Sequence, residues 1–233
     1  MKEVNHIFFD LDHTLWDFDR NSAETLTELF EEHQLGDHIE TAEEFVKEYK
    51  RINRVFWTQY REGKIRKAEL RYKRFLVAFE HFGMKTNREF AEQFAAEYLA
   101  ICPLKKHVFP GTFEVLSHLK SDYPLHIITN GFKEVQDIKL SSSGLDRYFD
   151  VVLCSEDVGV NKPHPKVFHR AFELAGASNS ESVMIGDTLE ADIVGAENVG
   201  MKSIFFNPEK SVVDTKSRQI YHLTDLIEIF NRH

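Results

Sequence analysis

The 233-residue chain is poor in cysteine, in basic charge and in long apolar segments, and each shortage excludes a class of protein. Cys102 and Cys154 are too far apart for a C-x-x-C metal pair and too few for a disulfide framework, so we expect buried thiols in a reducing compartment. A formal charge of -9 argues against binding to nucleic-acid polymers. No apolar run approaches membrane-spanning length, and no signal-peptide pattern opens the chain. We therefore expect a cytoplasmic protein without membrane or nucleic-acid partners.

The composition that remains is that of a globular protein. Hydrophobic residues make up 42% of the chain and charged residues 29%, which is enough apolar material for a full core. The length suits one sizeable domain, or one domain with a smaller insertion. The sequence leaves open whether the protein is a monomer or a dimer.

Residues 17–102 predict four amphipathic helices and no strand. Their apolar residues recur every three or four positions, which is the period of a helix with one buried face. The first helix is expected to begin near Asn21 or Ser22, since either side chain is a suitable N-cap. The four stretches end near Gly36, Gly63, Gly83 and Pro103.

Short apolar strands alternate with helices beyond Pro110. Residues 4–9 predict a further strand of the same kind, too short and too apolar for an amphipathic helix. This alternation indicates an α/β fold, a doubly wound parallel sheet covered by helices on both faces. The predicted division is a core of residues 1–16 and 103–233, with residues 17–102 inserted as a helical cap over the strand ends. The later strands are predicted at residues 125–129, 151–154, 183–186 and 203–206.

Polar side chains follow four of the predicted strands, at the sheet edge where ligands of open parallel sheets bind. Each has an ordinary alternative: a carboxylate can cap a helix, Thr129-Asn130-Gly131 can be only a turn, and Lys162-Pro163 can be a solvated loop. Their joint placement at successive strand ends favours a functional site. The residues are Asp10, Asp12, Thr129, Asn130, Lys162, Asp187 and, one helical turn later, Asp192.

This set of side chains suits a phosphoryl group and a magnesium ion. Oxygen ligands without a histidine or cysteine cluster favour Mg²⁺ over zinc, and we expect the ion between Asp10 and Asp187. A cation, a lysine and amide donors together offset phosphoryl charge. One carboxylate of the Asp10 and Asp12 pair could attack phosphorus, while the other protonates the leaving oxygen and then activates water.

Four stretches resemble, in order, the four motifs of the haloacid dehalogenase superfamily, and the helical insertion resembles its cap. The resemblance implies a Rossmann-like core in which Asp10 is the nucleophile. Asp12 is then the general acid/base and also binds magnesium through its backbone carbonyl. The stretches are FDLDHTL at 9–15, ITNG at 128–131, KP at 162–163 and GDTLEAD at 186–192.

The same resemblance assigns the other residues. Thr129 and Asn130 hold the phosphate, Lys162 neutralises it and positions Asp10, and Asp187 binds the metal. Asp192 orients either the metal's water or Lys162. Asp12 also separates two chemistries, because superfamily members that cleave carbon–halogen bonds lack a carboxylate at that position and the phosphatases have one.

A longer run narrows the expected substrate. GFKEVQDIKL at 131–140 and WDFD at 16–19 are similar to bacterial 5'-nucleotidases that act on pyrimidine and noncanonical nucleoside monophosphates. The expected function is a Mg²⁺-dependent phosphomonoester hydrolase that acts through an aspartyl phosphate. Trp16 and Phe18 could stack on a base, or could instead form a hinge.

Three other functions fit the same motifs. A sugar-phosphate phosphatase, such as one acting on sialic-acid 9-phosphate, shares much of this pattern, and a phosphomutase uses the same scaffold. A non-enzymatic phospho-accepting signalling module also gathers aspartate, threonine and lysine at strand ends, but has neither a large insertion nor a second carboxylate like Asp12.

Overall fold

The computed structural model describes residues 4–231 and divides the chain into two compact units. The sheet unit comprises Met1–Phe18 and Lys106–His233, and the helical unit comprises Asp19–Lys105. The assignment of the helical unit as a cap stays a prediction.

A six-stranded sheet forms the centre of the sheet unit, with the order β3-β2-β1-β4-β5-β6. All its neighbouring strands run parallel, so their carboxyl ends share one edge. The predicted parallel sheet is thereby confirmed. The strands are β1 His6–Phe9, β2 Leu125–Thr129, β3 Val151–Cys154, β4 Ser182–Gly186, β5 Lys202–Phe206 and β6 Arg218–Ile220.

Helices connect these strands and cover the sheet. Ile7, Phe8 and Phe9 of β1 point alternately to the two faces and are all fully buried, so both faces are covered. Val167 and Phe168 of α7 pack against Phe8 in one such layer. The helices of this unit are α5 Thr112–Lys120, α6 Lys133–Ser143, α7 Pro165–Ala175, α8 Gly195–Glu197 and α9 Asp225–Phe230, with a π-helical turn at Leu189–Val194 before α8.

The sequence pattern missed the last strand and helix. The strand β6 has only three residues, and α9 has six, so neither is long enough for an apolar period to show. The helical segment after β4 also departs from an ordinary α-helix, because it begins at Leu189 in π-helical geometry.

The helical unit contains four α-helices, as predicted. They are α1 Phe18–Glu32, α2 Ala42–Arg61, α3 Lys67–His81 and α4 Arg88–Ile101. The predicted start of α1 at Asn21 or Ser22 is wrong, because both residues lie buried inside the helix. The Tyr98 hydroxyl donates to Ser22 Oγ at 2.8 Å, so this serine joins α1 to α4 and does not cap α1.

Two sequence expectations about the whole chain can be compared with the structure. Cys102 and Cys154 are both buried thiols, as predicted. Within residues 4–231, no helix has the length and apolar character needed to cross a membrane.

A pair of histidines lies at the amino ends of β1 and β2, away from the edge that carries the polar motifs. His126 Nε2 is 3.2 Å from His6 Nδ1, and His126 Nδ1 has no hydrogen-bond partner among the described residues. Burial, reinforced by the charge of His6, lowers the pKa of His126 to about 4. The folded protein therefore keeps His126 neutral at a pH where the unfolded chain already binds a proton.

This histidine makes folding stability depend on pH. As pH falls from about 6.5 to about 4, only the unfolded chain gains the proton, so wild type should lose up to about 3 kcal/mol that His126→Leu does not lose. Urea unfolding across this pH range measures the difference. The control is His222→Asn, at an exposed histidine, which should follow wild type. Equal losses in wild type and His126→Leu would contradict the assignment.

Candidate active site

The strand ends bring the predicted carboxylates together. Since β1 and β4 are neighbours, Asp10 and Asp187 follow adjacent strands. Asp10, Asp187 and Asp192 each offer one carboxylate oxygen, and these oxygens lie within 4.8 Å of one another. The Thr14 hydroxyl donates to Asp187 Oδ1 at 3.1 Å, which orients that half-buried side chain.

Lys162 is the fixed cation of this cluster. Its ammonium donates to Asp10 Oδ1 at 2.7 Å, to Asp192 Oδ1 at 2.6 Å and to the Ile128 carbonyl at 2.6 Å. An ammonium has three N–H groups, so these bonds use all of them. Burial lowers the pKa of Lys162, but the Asp10 and Asp192 charges outweigh it and raise that pKa. The buried lysine therefore stays charged and fixes one oxygen of Asp10.

The loop that carries Lys162 is held by Asn130. Asn130 Oδ1 accepts from the Lys162 backbone N–H at 2.8 Å, and Asn130 Nδ2 donates to the Lys162 carbonyl at 3.0 Å. This paired contact locks the loop after β3 to the end of β2. The family resemblance implied that Asn130 binds the phosphate. In the structure, the Asn130 side chain is hydrogen-bonded to the backbone N–H and carbonyl of Lys162.

Asp192 uses both carboxylate oxygens on protein donors. Oδ1 accepts from Lys162, and Oδ2 accepts from the Thr188 backbone N–H at 2.9 Å. Gly186 makes this possible, since a Cβ there would lie 2.4 Å from Asp192 Cγ. Of the two alternatives from the sequence, this geometry fits an aspartate that orients Lys162.

The cluster has three carboxylates and one lysine, and this excess of negative charge contributes to the raised pKa values of Asp10 and Asp187. Burial, and then the charges of Asp192 and Asp12, raise the pKa of Asp10 to about 7 although Lys162 opposes the shift. Burial and the nearby Asp10 and Asp192 raise the pKa of Asp187 well above its usual value. Buried oxygen ligands with excess negative charge form a donor set that suits a hard divalent cation.

Asp12 has its own partners, which lie outside the four sequence motifs. Lys139 Nζ lies 2.6 Å from Asp12 Oδ1 and 2.9 Å from Oδ2, and Gln136 Nε2 donates to Oδ2 at 3.1 Å. Burial raises the pKa of Asp12, but the Lys139 charge and the hydrogen bonds from Lys139 and Gln136 together outweigh it, and the net pKa is lowered.

A periodic signal in α6 could have found both residues. Gln136 and Lys139 occupy positions on the buried stripe of the helix, together with Val135 and Leu140. Polar side chains on a stripe that should be apolar need buried partners, and that need points to the neighbouring strand ends.

Trp16 and Phe18 lie beside this second cluster. Trp16 is fully buried, and the Lys139 ammonium lies 4.6 Å from the centre of its ring. Phe18 is half-buried, with the same ammonium 5.7 Å from its ring centre. The Lys139 ammonium thus lies against the Trp16 and Phe18 rings, which the sequence suggested could stack on a nucleobase. Stacking of these rings on the substrate stays a prediction.

Fold and site together define a class of hydrolase. The chain belongs to the haloacid dehalogenase-like hydrolase family, whose sequence profile matches residues 4–200. This family match spans β1 to α8 and includes all the residues described above.

Individual relatives are similar over nearly the whole chain. Pyrimidine 5'-nucleotidase PynA of Streptococcus pneumoniae is 33% identical over 232 residues, with 97% of this chain and 95% of that protein covered. Pyrimidine 5'-nucleotidase YjjG of Escherichia coli is 36% identical over 203 residues, covering 86% and 85%. The crystal structure of the HAD-hydrolase YfnB from Bacillus subtilis, bound to magnesium, superposes with a TM-score of 0.88 at 30% identity, covering 99% and 100%.

The close approach at Gly186 leads to a testable expectation. Gly186→Ala should displace Asp192 from Lys162 and lower the free energy of unfolding by about 1–3 kcal/mol through overpacking. Urea unfolding measures this loss. The matched control is Gly36→Ala, where the nearest atom would lie 3.7 Å from the new Cβ and little change is expected. Equal stability of the two variants would show that this site accommodates the methyl group.

Proposed function

We propose that the protein is a Mg²⁺-dependent phosphomonoester hydrolase that acts through an aspartyl phosphate on pyrimidine or noncanonical nucleoside 5'-monophosphates. One observation carries the phosphatase assignment. Two neighbouring carboxylates are bound by separate lysines, Asp10 by Lys162 and Asp12 by Lys139, which suits two separate roles. The substrate class is supported by the two relatives named pyrimidine 5'-nucleotidases.

Asp10 is the proposed nucleophile. Its Oδ1 is held by Lys162, and the carboxylate forms a bond to phosphorus as the bond from phosphorus to the ester oxygen breaks. Asp12 gives its proton to that leaving oxygen. Water then attacks phosphorus, its proton passes to Asp12, and the bond between phosphorus and Asp10 breaks. The proton that Asp12 gives to the leaving oxygen is thus replaced by one from water within the same turnover.

Thr129 is the proposed hydrogen-bond donor to the substrate phosphate. Its hydroxyl oxygen accepts from the Gly131 backbone N–H at 3.0 Å and from Gln136 Nε2 at 2.9 Å. A hydroxyl has two acceptor sites and one hydrogen, so both acceptor sites are used and the hydrogen is left to donate. Asn130 contributes by holding the Lys162 loop in place.

Asp10, Asp187 and the backbone carbonyl of Asp12 are the proposed magnesium ligands. A bound ion would supply the positive charge that offsets the phosphoryl oxygens during transfer. The raised pKa values of Asp10 and Asp187 support this choice, because a cation would offset the burial and the carboxylate repulsion that raise them. Asp192 is assigned to Lys162, since protein donors occupy both of its oxygens.

The alternative functions are distinguished by whether free phosphate is released and by which phosphate ester is hydrolysed fastest. Phosphate release should be measured across pyrimidine, purine and noncanonical nucleoside 5'-monophosphates, sugar phosphates and sialic-acid 9-phosphate. A preference for a sugar phosphate would replace the nucleotidase assignment. A phosphomutase would transfer phosphate with little net release, and a signalling module would keep a long-lived phospho-aspartate.

The nucleophile is tested by Asp10→Asn. This change should lower kcat by at least about 1,000-fold, because the attacking carboxylate is lost while the shape of the side chain is kept. Phosphate release gives the rate, and circular dichroism confirms the fold. Asp150→Asn, at an exposed aspartate paired with Lys120, is the control and should keep wild-type activity. Activity of Asp10→Asn within tenfold of wild type would remove Asp10 from this role.

Metal binding is tested by thermal unfolding without substrate. Saturating Mg²⁺ at about 100 times its Kd should stabilise wild type by about 2.7 kcal/mol, and Asp187→Asn should lose most of this gain. In the metal-free state Asp187→Asn should be at least as stable as wild type, because it removes a half-buried carboxylate that Asp10 and Asp192 repel. Sodium chloride of equal ionic strength is the control. An equal gain in both proteins would place the ion elsewhere.

A further inference from the structure

We propose that Lys139 and Gln136 are positioning residues for Asp12, which hold its carboxylate where it can exchange a proton with the ester oxygen and then with water. This inference rests on the proposed phosphatase function and adds to it two residues outside the four motifs. Both side chains come from α6, three residues apart, and both are buried.

The contact with Lys139 fixes the carboxylate through both of its oxygens. Lys139 Nζ is 2.6 Å from Oδ1 and 2.9 Å from Oδ2, so rotation of the carboxylate would lengthen at least one bond. Lys139 is only 5% exposed, and its ammonium lies over the ring of Trp16. Because the lysine is enclosed, its own position is also restricted, and the restriction passes to Asp12.

Gln136 joins Asp12 to Thr129, the proposed hydrogen-bond donor to the substrate phosphate. Its Nε2 donates one hydrogen to Asp12 Oδ2 at 3.1 Å and the other to Thr129 Oγ1 at 2.9 Å. Gln136 Oε1 is buried without a hydrogen-bond partner in the described part of the chain. A flipped amide would direct this oxygen at the Asp12 carboxylate, which can only accept, so the present orientation is the favourable one.

The backbone leaves room for this bridge. A Cβ on residue 131 would lie 1.6 Å from Gln136 Nε2 and 3.1 Å from Asp12 Oδ2. Gly131 has no positive φ that would itself require glycine. The requirement for glycine is therefore one of space, and the occupant of that space is the Gln136 amide.

Lys162 and Lys139 bind different members of the aspartate pair. Lys162 uses its three N–H groups on Asp10, Asp192 and a backbone carbonyl, and it does not contact Asp12 in this structure. Lys139 contacts Asp12 and the rings of Trp16 and Phe18. Each carboxylate of the pair thus has its own cation, and the loss of Lys139 should affect only those steps in which Asp12 takes part.

The leaving group of the ester provides the test. A nucleoside 5'-alkoxide needs a proton as it leaves, whereas nitrophenolate from p-nitrophenyl phosphate leaves without one. The ratio kcat/KM covers the steps through formation of the aspartyl phosphate, so comparing the two esters isolates the first proton transfer. Since misplacing a catalytic group by about 1 Å costs about 100-fold, Lys139→Met should lower kcat/KM by at least about 30-fold for the nucleotide and less than about 3-fold for the nitrophenyl ester.

Two variants control for charge and for folding. Lys139→Arg keeps a cation that can bind a carboxylate and should recover most of the nucleotide activity. Lys133→Met removes an exposed lysine from the same helix, where it pairs with Asp157, and should leave both rates unchanged. Thermal unfolding of each variant shows whether Lys139→Met remains folded. If it does not, Gln136→Met is measured in its place and should show the same selective loss.

A double-mutant cycle tests whether Lys139 acts through Asp12. In an Asp12→Asn background, the further change Lys139→Met should alter kcat/KM for the nucleotide by less than about 2-fold, against at least about 30-fold in the wild-type background, because the group it positions is already absent. If Lys139→Met lowered kcat/KM equally for the nucleotide and the nitrophenyl ester, or lowered neither, the positioning role would be overturned. The phosphatase assignment would remain intact in both cases. If wild type released phosphate from neither ester, the proposed function itself would fail.

Discussion

The site is organised by one buried ammonium group. Lys162 is almost completely enclosed, and it binds two carboxylates and a backbone carbonyl that come from three different segments of the chain. Burial of such a charge is costly unless it is paired, and removing one partner of a buried ion pair typically costs about 3–5 kcal/mol. The geometry of Asp10, Asp192 and the loop after β3 is therefore tied to the stability of the fold, and Asn130 and Gly186 serve the same arrangement.

A second cluster is built on the same principle around Asp12. Lys139 supplies the charge, Gln136 supplies the amide, and the rings of Trp16 and Phe18 enclose the lysine. The two clusters lie side by side but have separate partners. This separation gives two aspartates only two residues apart different electrostatic surroundings, since burial raises the pKa of Asp10 to about 7 whereas Lys139 lowers the pKa of Asp12.

Much of this could be predicted from the sequence, because parallel strands bring residues that follow them to one edge. Asp10, Lys162 and Asp187 were identified as neighbours from strand ends and motif spacing, and their positions agree with that expectation. The partners of Asp12 were missed because Gln136 and Lys139 lie in a helix, where the local pattern marks them as polar residues on a buried face but does not state which strand end that face meets. The role of Asn130 was also out of reach, since a side chain that holds a loop cannot be told from one that holds a ligand by residue type alone.

The space beside Gly131 has a consequence for how this sequence can vary. The Gln136 amide lies where a side chain of residue 131 would begin, so the two positions share one volume. A larger residue at 131 becomes compatible with the fold when the Gln136 side chain moves aside or is shortened, and either change removes the link between Thr129 and Asp12. Substitutions at these positions are therefore coupled, and a chain that departs from glycine at 131 must orient its acid by other means.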